Sequence, residues 1–221
     1  MNRPPRAAPA FPDDISRSLR TSGLALGLVV ALGGCFSGFD SRQPAADVFV
    51  LTASDGMETV APVGGSVTGR LPAVRGGWEG TQLPVQLPDG RRTQLAAARW
   101  SRPLDEGVAA VLMDTLRARG AYSAVLADTS PFPGRWTLEL EVGEFSAVYA
   151  REGEPPRVRV QLNGAFGRAR DRVLLGTVQG RGEAPAAADT RTAIAAAFNV
   201  ALQAAILEVA SQSERLAAAE R

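Results

Sequence analysis

Apolar and polar positions change rhythm several times along the chain, and each rhythm predicts an element. From Trp136 to Val142 every second residue is apolar (Trp136, Leu138, Leu140, Val142), with Thr137, Glu139 and Glu141 between them. Period two is the mark of a strand with one buried face. Past Gly143 the parity flips to Phe145, Ala147 and Tyr149, as a bulge at Gly143-Glu144 requires. After the turn "EGEPP", Val158, Val160, Leu162 and Phe166 alternate with Arg157, Arg159, Gln161 and Asn163. "RARDR" then turns into "VLLGTVQG", so three consecutive antiparallel strands are predicted.

Period 3.6 appears twice. Leu104, Val108, Val111, Leu112 and Leu116 form a stripe within Ser101 to Gly120. Pro103, Asp105 and Glu106 suit its first turn; Arg117, Arg119 and Gly120 suit its end. From about Ala186 to Arg215 the chain is alanine-rich, and Ile194, Phe198, Ala201, Leu202, Ala205, Ile206 and Val209 form a second stripe. Upstream, "DVFVLT" reads as a first strand and "SVTGRLPAV" as a second. "TQLPVQLPDGRRTQLAAARW" reads as a hairpin turning at Pro88-Asp89-Gly90, and "YSAVLA" as a further strand. The expected fold class is α/β, a single compact domain with a mixed, mainly antiparallel sheet packed by two principal helices.

The one cysteine sits outside this pattern. Arg17 and Arg20 flank an apolar run, Leu24 to Leu32, too short to span a bilayer, and it ends Leu32-Gly33-Gly34-Cys35. This ending resembles a bacterial lipobox, which implies cleavage between Gly34 and Cys35 and acylation of Cys35; several acyl chains make a stable anchor. Residues 1–34 are then a lipoprotein signal peptide and 35–46 a lipidated tether. Residues 47–215 form the folded domain, and 216–221 a C-terminal tail. Phe36, rather than Asp, after the cysteine points to the outer membrane under the enterobacterial sorting rule.

Composition removes whole classes of chemistry. The 221 residues contain no histidine, which excludes Ser-His and Cys-His pairs and the commonest zinc ligand. A single cysteine excludes an internal disulfide and any CxxC site. All 24 basic residues are arginines, net charge is +1, and the arginines are scattered, so no basic stripe marks a nucleic-acid partner. No cofactor is implied. Glu139, Glu141 and Glu144 have the residue type of a carboxylate hydrolase. Arg157 and Arg159 on the neighbouring strand are expected to pair with Glu139 and Glu141 as surface ions instead.

Taken in order, the lipobox, the "FVLT" strand, "ARWSRPL" opening a helix, the "LELEVGEF" strand, a hairpin and a terminal helix with "AAAFNVAL" resemble the ABC-type transport auxiliary lipoprotein family, which includes lipoproteins of the paraquat-inducible-protein C type. The resemblance covers about Asp47 to Ser211; "RGGWEGTQLP" departs from it. It implies a fold similar to the N-terminal domain of the Tol-Pal propeller protein. It also implies an accessory, non-enzymatic role beside an inner-membrane ABC permease and ATPase and a periplasmic MCE-domain protein, in a system moving lipids or other hydrophobic compounds. An envelope scaffold without a transport role is the alternative, and a homo-oligomer is compatible with either. Partner contact is expected through sheet edge and loops. Trp78, between glycines, is either presented to a partner or packed locally. Trp100, with Arg99, is either core or an interface anchor, the residue types found at hot spots.

Overall fold

Residues 45–220 are described by the computed structural model, and the signal segment, Gly34, Cys35 and Phe36 lie outside them. The strands are β1 (Asp47–Phe49), β2 (Ser66–Gly69), β3 (Ala73–Val74), β4 (Gln82–Gln86), β5 (Arg92–Trp100), β6 (Ala124–Ala127), β7 (Trp136–Val148), β8 (Arg157–Arg168) and β9 (Val173–Pro185). The helices are α1 (Leu104–Arg119) and α2 (Arg191–Ala219). They build one mixed α/β domain whose sheet is organised by β7.

The period-two segments pair as expected. β7, β8 and β9 form two long antiparallel ladders, and the β7 register shifts between Val142 and Glu144 where the apolar parity flips. The other edge of β7 takes three short parallel partners in succession: β2 at Trp136 to Leu138, β3 at Glu141 and Val142, and β4 at Ala147 and Val148. β6 extends the sheet beside β2, while β5 and then β1 extend it beside β4. The expected strand "SVTGRLPAV" is thus two strands, broken at Arg70 to Pro72, because each half meets a different stretch of β7.

Both helices cover one face of this sheet. α1 ends as its sequence dictates: Gly120 takes the left-handed conformation (φ 68°) and returns its N–H to the Arg117 carbonyl. α2 begins at Arg191, later than expected, because β9 runs on to Pro185 and Thr190 caps the helix through the Ala193 N–H. It ends later too. Residues 216–219, expected as a tail, continue the helix, and Ala217 is buried. α2 is long and apolar enough to cross a membrane by length and composition, but its apolar stripe is spent on the sheet.

Glycine makes that contact close. The β9 residues facing α2 are Gly176, Val178, Gly180, Gly182 and Ala184. A Cβ on Gly180 would lie 2.0 Å from the Ala205 carbonyl oxygen, and one on Gly182 1.8 Å from that of Ala201. The glycines of β9 and the alanines of α2 are therefore one device, bringing backbone against backbone. Farther along, Phe198 of α2 stacks on Phe145 (4.7 Å) and meets Trp100 edge-on (5.5 Å). A buried bidentate pair joins the helices: Arg119 Nε and Nη2 donate to Glu214 at 2.7 and 2.6 Å.

Candidate docking surface

Trp100 belongs to the core: its ring is 1% exposed, and its Nε1–H has no acceptor among the described residues. Arg99, one residue earlier on β5, is exposed as alternation requires, and among the described residues it makes no ion pair. Of the two readings of Trp78, local packing holds and presentation to a partner is corrected. Its indole is buried at 5% exposure, with the Arg92 guanidinium 4.5 Å over its ring. Arg92 Nη1 also donates to the Gly76 carbonyl (2.9 Å), so the glycines close a loop around the tryptophan rather than freeing it. The three candidates therefore do not converge on one surface.

The carboxylates of β7 are surface ions, as expected, but with other partners. Glu139 pairs with Arg70 (3.5 Å) and Glu141 with Arg75 (3.2 Å), both arginines following the short parallel strands β2 and β3. Arg157 and Arg159 pair instead with Glu183 of β9 (4.0 and 3.6 Å). The register explains the exchange: Glu139 and Glu141 lie opposite Ala165 and Asn163, while Arg159 lies opposite both Ser146 and Glu183. These are exposed pairs worth little in stability. Glu144 accepts from the Ser146 hydroxyl at 3.3 Å.

The exposed sheet edge is also less available than expected. On the outer edge of β9, the Gln179 N–H donates to Gln212 Oε1 (3.0 Å) and the Gln179 carbonyl accepts from Gln212 Nε2 (2.5 Å). The Arg181 N–H donates to Glu208 Oε2 (3.0 Å). Side chains of α2 thus occupy backbone groups that would otherwise template an added strand. At the other edge Asn199 does similar work: it accepts from the Thr52 N–H (2.8 Å) and donates to the Val50 carbonyl (3.1 Å). Gln203 adds a bond to the Thr52 carbonyl (2.9 Å). The asparagine of "AAAFNVAL" therefore fastens the segment that enters the domain.

A surface that sequence reasoning passed over lies on the open face of the sheet, where β7 begins. The Pro-rich loop between β6 and β7 rises on one side, held down by Gly134 N–H to Thr68 Oγ1 (3.2 Å) and Arg135 N–H to Ser66 Oγ (3.1 Å). The β8–β9 turn rises on the other, with the Ala169 N–H bonded to the Arg135 carbonyl (2.9 Å). Between them runs a groove of about 560 Å³. Phe132, Val173 and Leu174 stand on its rim, 71%, 41% and 61% exposed. Arg70 sits within it, its charge shared between Asp128 (3.6 Å) and Glu139 (3.5 Å). The signal was present in the sequence as a phenylalanine between prolines in "TSPFPG" and leucines following "RARDR". Neither belonged to a periodic stripe that could bury it.

Chemically this surface is suited to binding. Exposed aromatic and aliphatic side chains beside paired and unpaired arginines favour an apolar, partly acidic ligand. Among the described residues, no three His, Cys, Asp or Glu side chains converge as metal ligands do.

The model of the ABC-type transport auxiliary lipoprotein component family matches residues 72–210, from β3 through most of α2. The chain belongs to this family. It is a family of auxiliary transport lipoproteins, not a known enzyme family, so the protein is a membrane-anchored envelope component associated with an ABC transport system. No curated protein matches the chain. Among solved structures, protein XCC0632 from Xanthomonas campestris, of the DUF330 family, is similar over 79% of this chain and 98% of its own, at 16% identity and a TM-score of 0.68. A structure of an uncharacterized protein is similar over 78% and 99%, at 14% identity and a TM-score of 0.58. At such identities the likeness concerns the fold, and both neighbours share it over nearly their whole length.

Proposed function

We propose that this protein is an outer-membrane-anchored accessory lipoprotein of an ABC/MCE-type system that moves lipids or other hydrophobic compounds across the envelope. Its task is to dock a periplasmic MCE-domain protein, which in turn meets the inner-membrane permease and ATPase. The observation that carries this reading is the join of two features: a lipobox ending at Cys35 and, after a short tether, a domain whose family is auxiliary to ABC transport. Supporting it, the open face of the domain offers an apolar-rimmed groove, as a docking protein needs.

The anchor and the docking are tested separately. Cys35→Ser should abolish palmitate labelling and leave unprocessed precursor at the inner membrane; a variant that still labels and runs at mature size contradicts the anchor. Phe36→Asp should move the protein toward inner-membrane fractions, and unchanged fractionation removes Phe36 as the sorting signal. Docking is read by capture of the MCE-domain protein encoded with the same transporter. Failure of the wild-type chain to capture it contradicts the accessory role.

A further inference from the structure

The two ends of α2 carry different parts of the molecule. At its first residue, Arg191 Nε pairs with Asp47 at 2.7 Å, so the chain enters the domain beside the N-terminus of α2. Just past its last residue, Glu220 accepts from Trp136 Nε1 and, at 2.7 Å, from Arg168 Nη1. These bonds fix the β8–β9 turn, the start of β7 and hence the groove at the C-terminal end of α2. A helix of 29 residues is about 43 Å long. The chain therefore enters the domain at the end of α2 away from the groove.

Charge narrows the occupant. Within and around the groove Arg70 is satisfied by Asp128 and Glu139, and Arg168 by Asp171 (2.8 Å) and Glu220. Arg172, which lines the groove from the β8–β9 turn, makes no ion pair among the described residues. It adjoins Val173 and Leu174, two of the three exposed apolar side chains. The surface therefore offers apolar contact with one uncompensated positive charge at its border.

Resting on the accessory-lipoprotein reading, we propose that this groove is the docking surface for the periplasmic protein partner, and that it takes a segment presenting an apolar side chain next to a carboxylate. The apolar side chain packs among Phe132, Val173 and Leu174, and the carboxylate pairs with Arg172. Because the groove and the point where the chain enters lie at opposite ends of α2, the partner is held at the end of the domain remote from that entry. Few residues of such an interface carry most of its affinity, and aromatic and arginine side chains are foremost among them.

The experiment uses the mature chain from residue 35 with Cys35→Ser, which carries no acyl chain to bind membranes by itself and is handled without detergent, and two probes: the MCE-domain protein of the same transporter, and vesicles of phosphatidylethanolamine with phosphatidylglycerol. Phe132→Ala with Leu174→Ala should weaken partner binding at least 10-fold, and Arg172→Glu alone should weaken it several-fold, with unchanged melting temperature for Arg172→Glu. If the double variant melts early, Arg172→Glu decides. Wild-type binding that all variants retain overturns the groove and leaves the accessory role standing. No wild-type binding to the MCE-domain protein overturns both. Variants that keep the protein partner but lose the vesicles make this a membrane-contact surface, which also overturns the proposal.

Discussion

The two faces of the β7–β8–β9 sheet are made from alternate residues of the same three strands, yet they are built to different tolerances. On the covered face, Trp136, Leu138, Leu140, Val142 and Phe145 of β7 and Val158, Val160, Leu162 and Phe166 of β8 are buried under α2, with glycines of β9 closing the layer. On the open face, Glu139, Glu141, Arg157, Arg159 and Glu183 stand in water, paired at 3.2 to 4.0 Å. One face fixes volume to within a methyl group; the other fixes only charge balance. The groove is where the open face departs from its own rule, by exposing large apolar side chains. A fold explains the first face and does not explain that departure, which is why the groove reads as function.

The largest effect is expected from Phe198→Ala on the covered face. Its ring lies between Phe145 and Trp100, and truncation should cost about 3–5 kcal/mol in urea unfolding. A loss below about 1 kcal/mol would mean that this face is not the tightly packed one. Gly182→Ala comes next. The added methyl meets the Ala201 backbone, so α2 must shift outward, at about 1–3 kcal/mol. The same glycine placed on the open face would tolerate alanine, and a neutral Gly182→Ala would erase the distinction between the faces.

A smaller effect is expected from acid at the edge where the faces meet. Bonds from Trp136 and Arg168, with the nearby Arg135, hold the Glu220 carboxyl below its ordinary value of 4.5. A group depressed in the folded state stabilises it above the unfolded value and loses that contribution as pH falls through the folded one. The melting temperature should therefore drop as pH is lowered below about 4.5, and Glu220→Gln should remove that part of the drop. An identical pH profile in the variant would show that Glu220 does not fasten this end of α2.

Much of the covered face was legible because burial leaves a period. The alternation of β7 and β8, the parity flip at Gly143, the hairpin at Pro88-Asp89-Gly90 and the stripes of α1 and α2 are local signals, and each is found in place. What was not legible depends on distant chain. Three short strands share one edge of β7 through parallel pairings that no local pattern announces. The role of the β9 glycines has no local signal, since their need for close approach lies in Ala201 and Ala205 of α2. Which of its two readings Trp78 takes was not legible because its partner, Arg92, lies across a loop and a hairpin. The groove was hidden for a simpler reason: Phe132 and Leu174 come from two separate turns, and only the fold brings them together.

The central claim is that the open-face groove, remote from the point where the tether enters, is what the partner touches. Photo-crosslinking in cells tests it most directly, with a photoreactive amino acid placed at Phe132 or at Val48. Both side chains are exposed, at 71% and 50%, and they lie at opposite ends of the domain, so reach alone does not favour either. The account expects a crosslink to the MCE-domain protein from position 132 and none from position 48. Crosslinks from position 48 alone, or equally from both, would contradict it.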